Sequence, residues 1–146
     1  MFTFAVTTLT LLVAVPVAAD KKVDAPKILA KTPSSFGKGG STVIRTADEK
    51  ATADLAKKLK VDAIDWKKQM VIVIAGGQQR TGGYSVEAKS LEVKDGKLIV
   101  HWKLNAPDGI ATQVISYPAL TILVDRFEGD VVFDPAPPAE KKNPGQ

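Results

Sequence analysis

The apolar positions change their spacing along this chain, and each spacing predicts a different element. Ala47, Ala51, Leu55 and Leu59 form one stripe at helical period. Thr46 and Glu49 fit the capping-box spacing, so each can satisfy a free amide of the first turn. Asp48 and Glu49 stand at the positive end of that helix, and Lys57, Lys58 and Lys60 at the negative end. A helix is therefore predicted over about Ala47–Leu59, covering one face of a sheet. Met70 to Ala75 is a continuous apolar run, too short for a helix and rich in β-branched residues, which predicts a strand buried on both faces. Ser41 to Arg45 predicts a short strand before the helix.

Further on the period becomes two. Leu98, Val100, Trp102 and Leu104 point one way along the strand predicted from Lys97 to Leu104, while Ile99, His101 and Lys103 point the other. The preceding strand, Tyr84 to Val93, is joined to it by Asp95-Gly96, a dipeptide suited to a tight hairpin turn. Tyr84, Val86 and Ala88 share a face, but Leu91 and Val93 fall out of phase. A bulge near Lys89-Ser90 restores the match. Gln113 to Val124 predicts a long strand interrupted by Pro118, whose missing donor implies an edge position or a bend. Val131 to Phe133 adds a last short strand. The predicted class is α+β: one early helix packed on a mainly antiparallel sheet of about five strands, or a partly closed barrel.

The ends differ in composition from this middle. Phe2 to Ala19 carries no charge and ends in Val17-Ala18-Ala19, small residues that a signal peptidase accepts. Residues 1–19 are predicted to be a signal peptide cleaved after Ala19, so the protein is exported, to a periplasmic or extracellular space, with no membrane span after cleavage. Residues 20–40 are rich in Lys, Pro, Gly and Ser and are predicted to be a linker, with Lys27–Ala30 pairing weakly as an edge strand. The domain is placed at 41–133. Residues 134–146 are Pro-dense and polar, and are predicted to be a disordered tail.

Charge and chemistry then remove whole classes of function. The net charge is +4, but the lysines interleave with acids and few aromatics are available for stacking, so no nucleic-acid partner is expected. The chain has no cysteine and one histidine, His101, which falls mid-strand where a cross-strand or solvent-facing role is expected. No metal site, cofactor or catalytic residue is predicted, and the protein is expected not to be an enzyme. Glu87, Glu92, Asp95 and Asp108 offer no evident glycosidase pair. Residues 76–83, GGQQRTGG, lack the phosphate-loop spacing and enter a strand instead of a helix.

That segment is expected to join two strands. It can serve as a turn in which Tyr84 plugs the core, or as a recognition loop on a rigid scaffold. The candidate partner-binding residues are Arg80, Thr81, Gly82, Gly83, Tyr84 and Gln113, in loops 78–84 and 105–113.

Thr81 to Glu87 (TGGYSVE), Asp95 to Val100 (DGKLIV) and Thr112 to Pro118 (TQVISYP) resemble the PrcB C-terminal-like family in order and spacing. Upstream, Val43 to Glu49 and Ile64 to Gly77 resemble its preceding segment, so the likeness spans roughly residues 41 to 126. The family takes its name from an accessory subunit of a secreted subtilisin-like protease complex, where it supports protease stability. The resemblance implies an exported, non-catalytic accessory protein with a protein partner, such as an exported protease. Family members often carry proline at the position of Arg80 and an aromatic at that of Ala119. Two other classes stay open: a chagasin-like protease inhibitor, whose Thr-Gly-aromatic loop QQRTGGY distantly resembles, and a small-ligand-binding module.

Overall fold

The computed structural model describes residues 24–35 and 40–138. The expected signal peptide and its cleavage point lie outside the described residues, as does the tail beyond Pro138. In chain order the elements are β1 (Ile28–Ser35), β2 (Thr42–Ile44), α1 (Glu49–Leu59), β3 (Gln69–Ala75), β4 (Ser85–Lys94), β5 (Lys97–Asn105), β6 (Pro118–Asp125) and β7 (Val131–Asp134). The described residues thus hold one helix and seven strands. They form two sheets rather than one, ordered β1-β6-β3-β2 and β4-β5-β7, and no closed barrel.

The first sheet is the middle layer, and β3 shows why. Its burial alternates between two cores. Met70, Ile72 and Ile74 join Leu120, Ile122 and Val124 of β6 against Val86, Leu98, Val100 and Trp102 of the second sheet. Val71 and Val73 turn the other way, with Leu123, onto Ala56, Leu59 and Ile64. A strand covered on both faces has no polar positions to alternate with, so the unbroken apolar run is its signature.

The helix starts two residues later than the capping-box spacing places it. Asp48, not Thr46, is the cap: its Oδ1 accepts the Ala51 amide at 2.7 Å. An ionised carboxylate is a stronger acceptor than a hydroxyl, and starting here sets Leu55, Ala56 and Leu59 over the sheet. Lys60 closes the helix with φ 57°, and its amide returns to Lys57. Trp66 seals the helix from the side, its indole donating to Thr52 Oγ1 at 2.8 Å.

The hairpin is built as the alternation requires. Asp95 and Gly96 both take positive φ (52° and 72°), and the register of β4 on β5 shifts between Ala88 and Ser90, leaving Lys89 as the extra residue. That bulge brings Leu91 and Val93 onto the face of Val86 and Ala88, against the inner core. β7 runs parallel to β5, from Leu98↔Val131 to His101↔Asp134.

Three elements depart from expectation. Residues 28–35, placed in the linker, pair along β6 as a strand twice as long as Lys27–Ala30. The strand expected from Gln113 begins only at Pro118. And β6 lies between β1 and β3, so Pro118 is on no edge; it occupies the first position of a central strand, where a missing donor is tolerated. The proline that does guard an edge is Pro33. Gly76 N donates to Pro118 O at 2.8 Å, so alternate β6 residues from Pro118 onward bond to β3. Pro33, opposite Leu120, therefore turns its nitrogen to the open side, where it denies a donor to any passing strand.

Two arginines fasten the turn after β6. Arg45 donates to Phe127 O (3.2 Å) and Gly129 O (2.7 Å), tying that turn to β2. Arg45→Ala is expected to cost about 1–3 kcal/mol, since two carbonyls lose a charged donor; equilibrium denaturation measures it. Arg126 reaches Arg45 O (3.1 Å), Trp66 O and the Glu128 carboxylate. The hydrogen bond from Arg126 holds the Glu128 carboxyl below the ordinary glutamate range. Its folded pKa being lowered, the pair's stabilisation is complete above the unfolded value and is lost as pH falls through the folded one. Glu128→Gln should therefore flatten the acid side of a melting-temperature-against-pH profile and leave the neutral-to-alkaline limb parallel to wild type.

Candidate functional site

The segment after β3 and the segment between β5 and β6 meet at one end of the sandwich. Gln79 and Ser116 exchange backbone hydrogen bonds at 2.8 and 3.0 Å, a single antiparallel bridge. Gly82 N donates to Thr112 O at 2.9 Å, and Ser116 Oγ to Thr81 O at 2.7 Å. Gln79 Nε2 returns to Gly76 O at 3.0 Å and braces the first segment from within. Gly83 turns at φ 84°, and a Cβ there would stand 2.7 Å from the Pro107 ring. Positive φ and close approach together make this position demand glycine. Gly83→Ala is expected to cost more than 1 kcal/mol and to pry the two segments apart, seen as a loss of amide protection at Gln79 and Gly82 ahead of global unfolding.

The expected site residues fall as follows. Arg80 is exposed at the tip, with Thr81 and Gly82 half-buried beside it and Gly83 exposed. Tyr84 is half-buried and lines a shallow open pocket of about 260 Å³ with Pro33, Ser34, Ser85, Val86, Pro118 and Ala119. It thus contacts the scaffold while keeping part of its ring at the surface. Ala119 contributes a small side chain to the wall of that pocket. Gln113 is exposed in the loop itself, not at a strand entrance, because β6 begins five residues later. Loops 78–84 and 105–113 are thus neighbours, and the pinned stretch of the second extends to Ser116.

The same loop carries three exposed aliphatic side chains, two of which, Val114 and Ile115, fall within the strand expected from Gln113. Ile110, Val114 and Ile115 are exposed, and Ile110 touches nothing of its own chain (relative exposure 106%). Val114 and Ile115 were expected to pair in that strand. Pro118 and the bridge at Ser116 instead leave them outside the ladder. The available signal was Gly109 and Pro118 bracketing a mixed stretch that Thr112, Gln113 and Ser116 interrupt.

His101 sits on the outer face of the second sheet, as a cross-strand residue. Its Nε2 lies 3.2 Å from Glu92 Oε2 of β4 and its Nδ1 3.2 Å from Asp134 Oδ2 of β7. The carboxylates approach opposite ring nitrogens instead of converging on one point. Among the described residues no cluster of His, Asp and Glu is arranged to hold a metal ion. Nearby, Lys89 and then Asn105 hydrogen-bond Glu87 and hold its carboxyl below the ordinary range, which solubilises the open edge of β4.

These features define a helix-backed, two-sheet β domain whose loops are joined into one rim. Residues 70–125, from β3 to the end of β6, match the family model described as PrcB C-terminal. The match supports a PrcB C-terminal-like segment here and covers less than half of the chain; α1 and the strands β1, β2 and β7 lie outside it. No curated protein and no solved structure matches the chain.

Proposed function

We propose that this is an exported, non-catalytic accessory protein that binds a folded partner through the joined loops 78–84 and 105–116. The observation that carries the reading is Ile110, Val114 and Ile115 held in water on a backbone pinned to its neighbour. Exposed aliphatic side chains on an ordered loop favour association, because the ordering entropy has already been lost before binding. Arg80, Thr81 and Gln113 supply a polar rim around them. The family's accessory role suggests an exported protease as partner. A protein that binds only the folded form of such a partner stabilises it by mass action, by about 2.7 kcal/mol at a hundredfold excess over Kd.

Among the described residues no helix is long and apolar enough to cross a membrane. The pocket beside Tyr84 is shallow and smaller than the usual small-molecule site, which disfavours the ligand-binding class. β6 is enclosed between β1 and β3, so it offers no edge to a partner's strand.

Affinity capture from the exported fraction of the source cell, with wild-type and loop-substituted protein side by side, tests the reading. A protease retained by wild type and lost from the loop variant is the expected result. Equal retention by both overturns the site. Stoichiometric inhibition of papain by the wild-type protein would replace the accessory reading by the inhibitor class.

A further inference from the structure

Where the chain leaves β7, it does not depart from the domain. β7 pairs with β5 only as far as His101↔Asp134, and the next residues continue past Trp102. The Trp102 indole Nε1 donates to the Pro135 carbonyl at 2.7 Å, and the ring itself is buried. Pro137 is half-buried, and Pro138 ends against Gly77, its ring carbons 3.0 Å from where a Cβ of Gly77 would stand. Gly77 has φ 75° and opens the segment that leads to Arg80.

Three of the four residues Pro135–Pro138 are prolines and have no N–H, so a strand ladder cannot hold them. What holds them is an indole donor on a carbonyl and a ring laid on bare glycine backbone. Proline-rich segments are recognised in this way elsewhere: their stiff extended shape costs little entropy, and aromatic donors read their carbonyls. The tail expected to be disordered from Asp134 is therefore seated through Pro138.

We propose that Trp102 and Gly77 form a seat for a proline-rich peptide, filled by the chain's own Pro135–Pro138 segment, and that filling it holds the loop beginning at Gly77 in its binding shape. The second half rests on the proposed contact surface; the seat itself does not. Release of the segment frees the Gly77 turn and loosens the Gln79–Ser116 bridge two residues on. It also strips the Trp102 indole of its acceptor. The strap thus tunes the loop from a distance without touching a partner.

The test uses the full chain with Pro135, Pro137 and Pro138 each replaced by glycine, and a fluorescent peptide of residues 134–146 as probe. The peptide is expected to bind this variant saturably and to be excluded from wild type, whose seat is filled. Adding Trp102→Phe, which keeps a ring and removes the donor, should abolish that binding. Amide exchange at Gln79 and Gly82 should be roughly tenfold faster in the glycine variant and should return to the wild-type rate when the peptide is added. No peptide binding by a variant with a native circular dichroism spectrum overturns the seat. Binding with unchanged exchange overturns the link to the loop and leaves the seat standing. Should the triple variant not fold, Trp102→Phe in the otherwise native chain decides, since unchanged exchange at Gln79 and Gly82 there overturns the proposal. These readings need no partner, so loss of the partner-capture result would leave them unaffected.

Discussion

Ile72→Ala is expected to lower the unfolding free energy by about 2–5 kcal/mol, the range for emptying a fully buried aliphatic site. Ile72 has no exposed surface and sits opposite Ile122 in the central pair of strands. Its side chain lies in the inner core, against Val100 and Trp102 of the second sheet as part of one cluster. Val73, its neighbour, faces the helix layer with Leu59 and Leu123. The two positions therefore separate the layers. Ile72→Ala should loosen β4 and β5 in amide exchange while α1 keeps its protection. Val73→Ala should loosen α1 first and cost less, because fewer methyl groups are lost. If both variants loosen the same layer, the division of β3 between two cores is wrong.

Ile110→Asp combined with Arg80→Glu is expected to weaken partner binding roughly thirtyfold or more, the consequence of losing a hot spot of about 2 kcal/mol. The melting temperature should stay within about 2 °C of wild type, since neither side chain is buried. Tyr84→Ala serves as the contrasting case. Tyr84 is half-buried against Val86 and Pro118, so its loss should lower stability as well as binding. Retained binding in the Ile110 and Arg80 variant, at unchanged stability, would remove the loops from the contact surface. Titration calorimetry with the captured partner measures the first quantity and thermal unfolding the second.

The difference between these two positions marks how far the sequence could be read. Arg80, Thr81, Gly82, Gly83 and Tyr84 were legible as a loop because glycine pairs bracket a polar segment, a signal contained within eight residues. Val114 and Ile115 were not, because they fall in a stretch that suits a strand and only the position of Pro118 within the first sheet leaves them unpaired. Gln113, expected at a strand entrance, lies in the joined loop instead. Two acids do flank His101, yet alternation alone could not show that they come from strands on either side of it.

The sequence by itself determined the helix stripe, the doubly covered run from Met70 to Ala75, and the hairpin at Asp95-Gly96 with its bulge at Lys89. Each rests on residues a few positions apart, whose periodicity and turn chemistry act before any distant contact forms. Only the tertiary structure decided that the strands divide into two sheets, that β6 is enclosed by β1 and β3, that β7 runs parallel to β5, and that Pro135–Pro138 lies across Trp102. Those outcomes depend on which apolar faces meet across tens of residues. Many pairings satisfy the local pattern, and burial on both sides of the first sheet selects the one that forms.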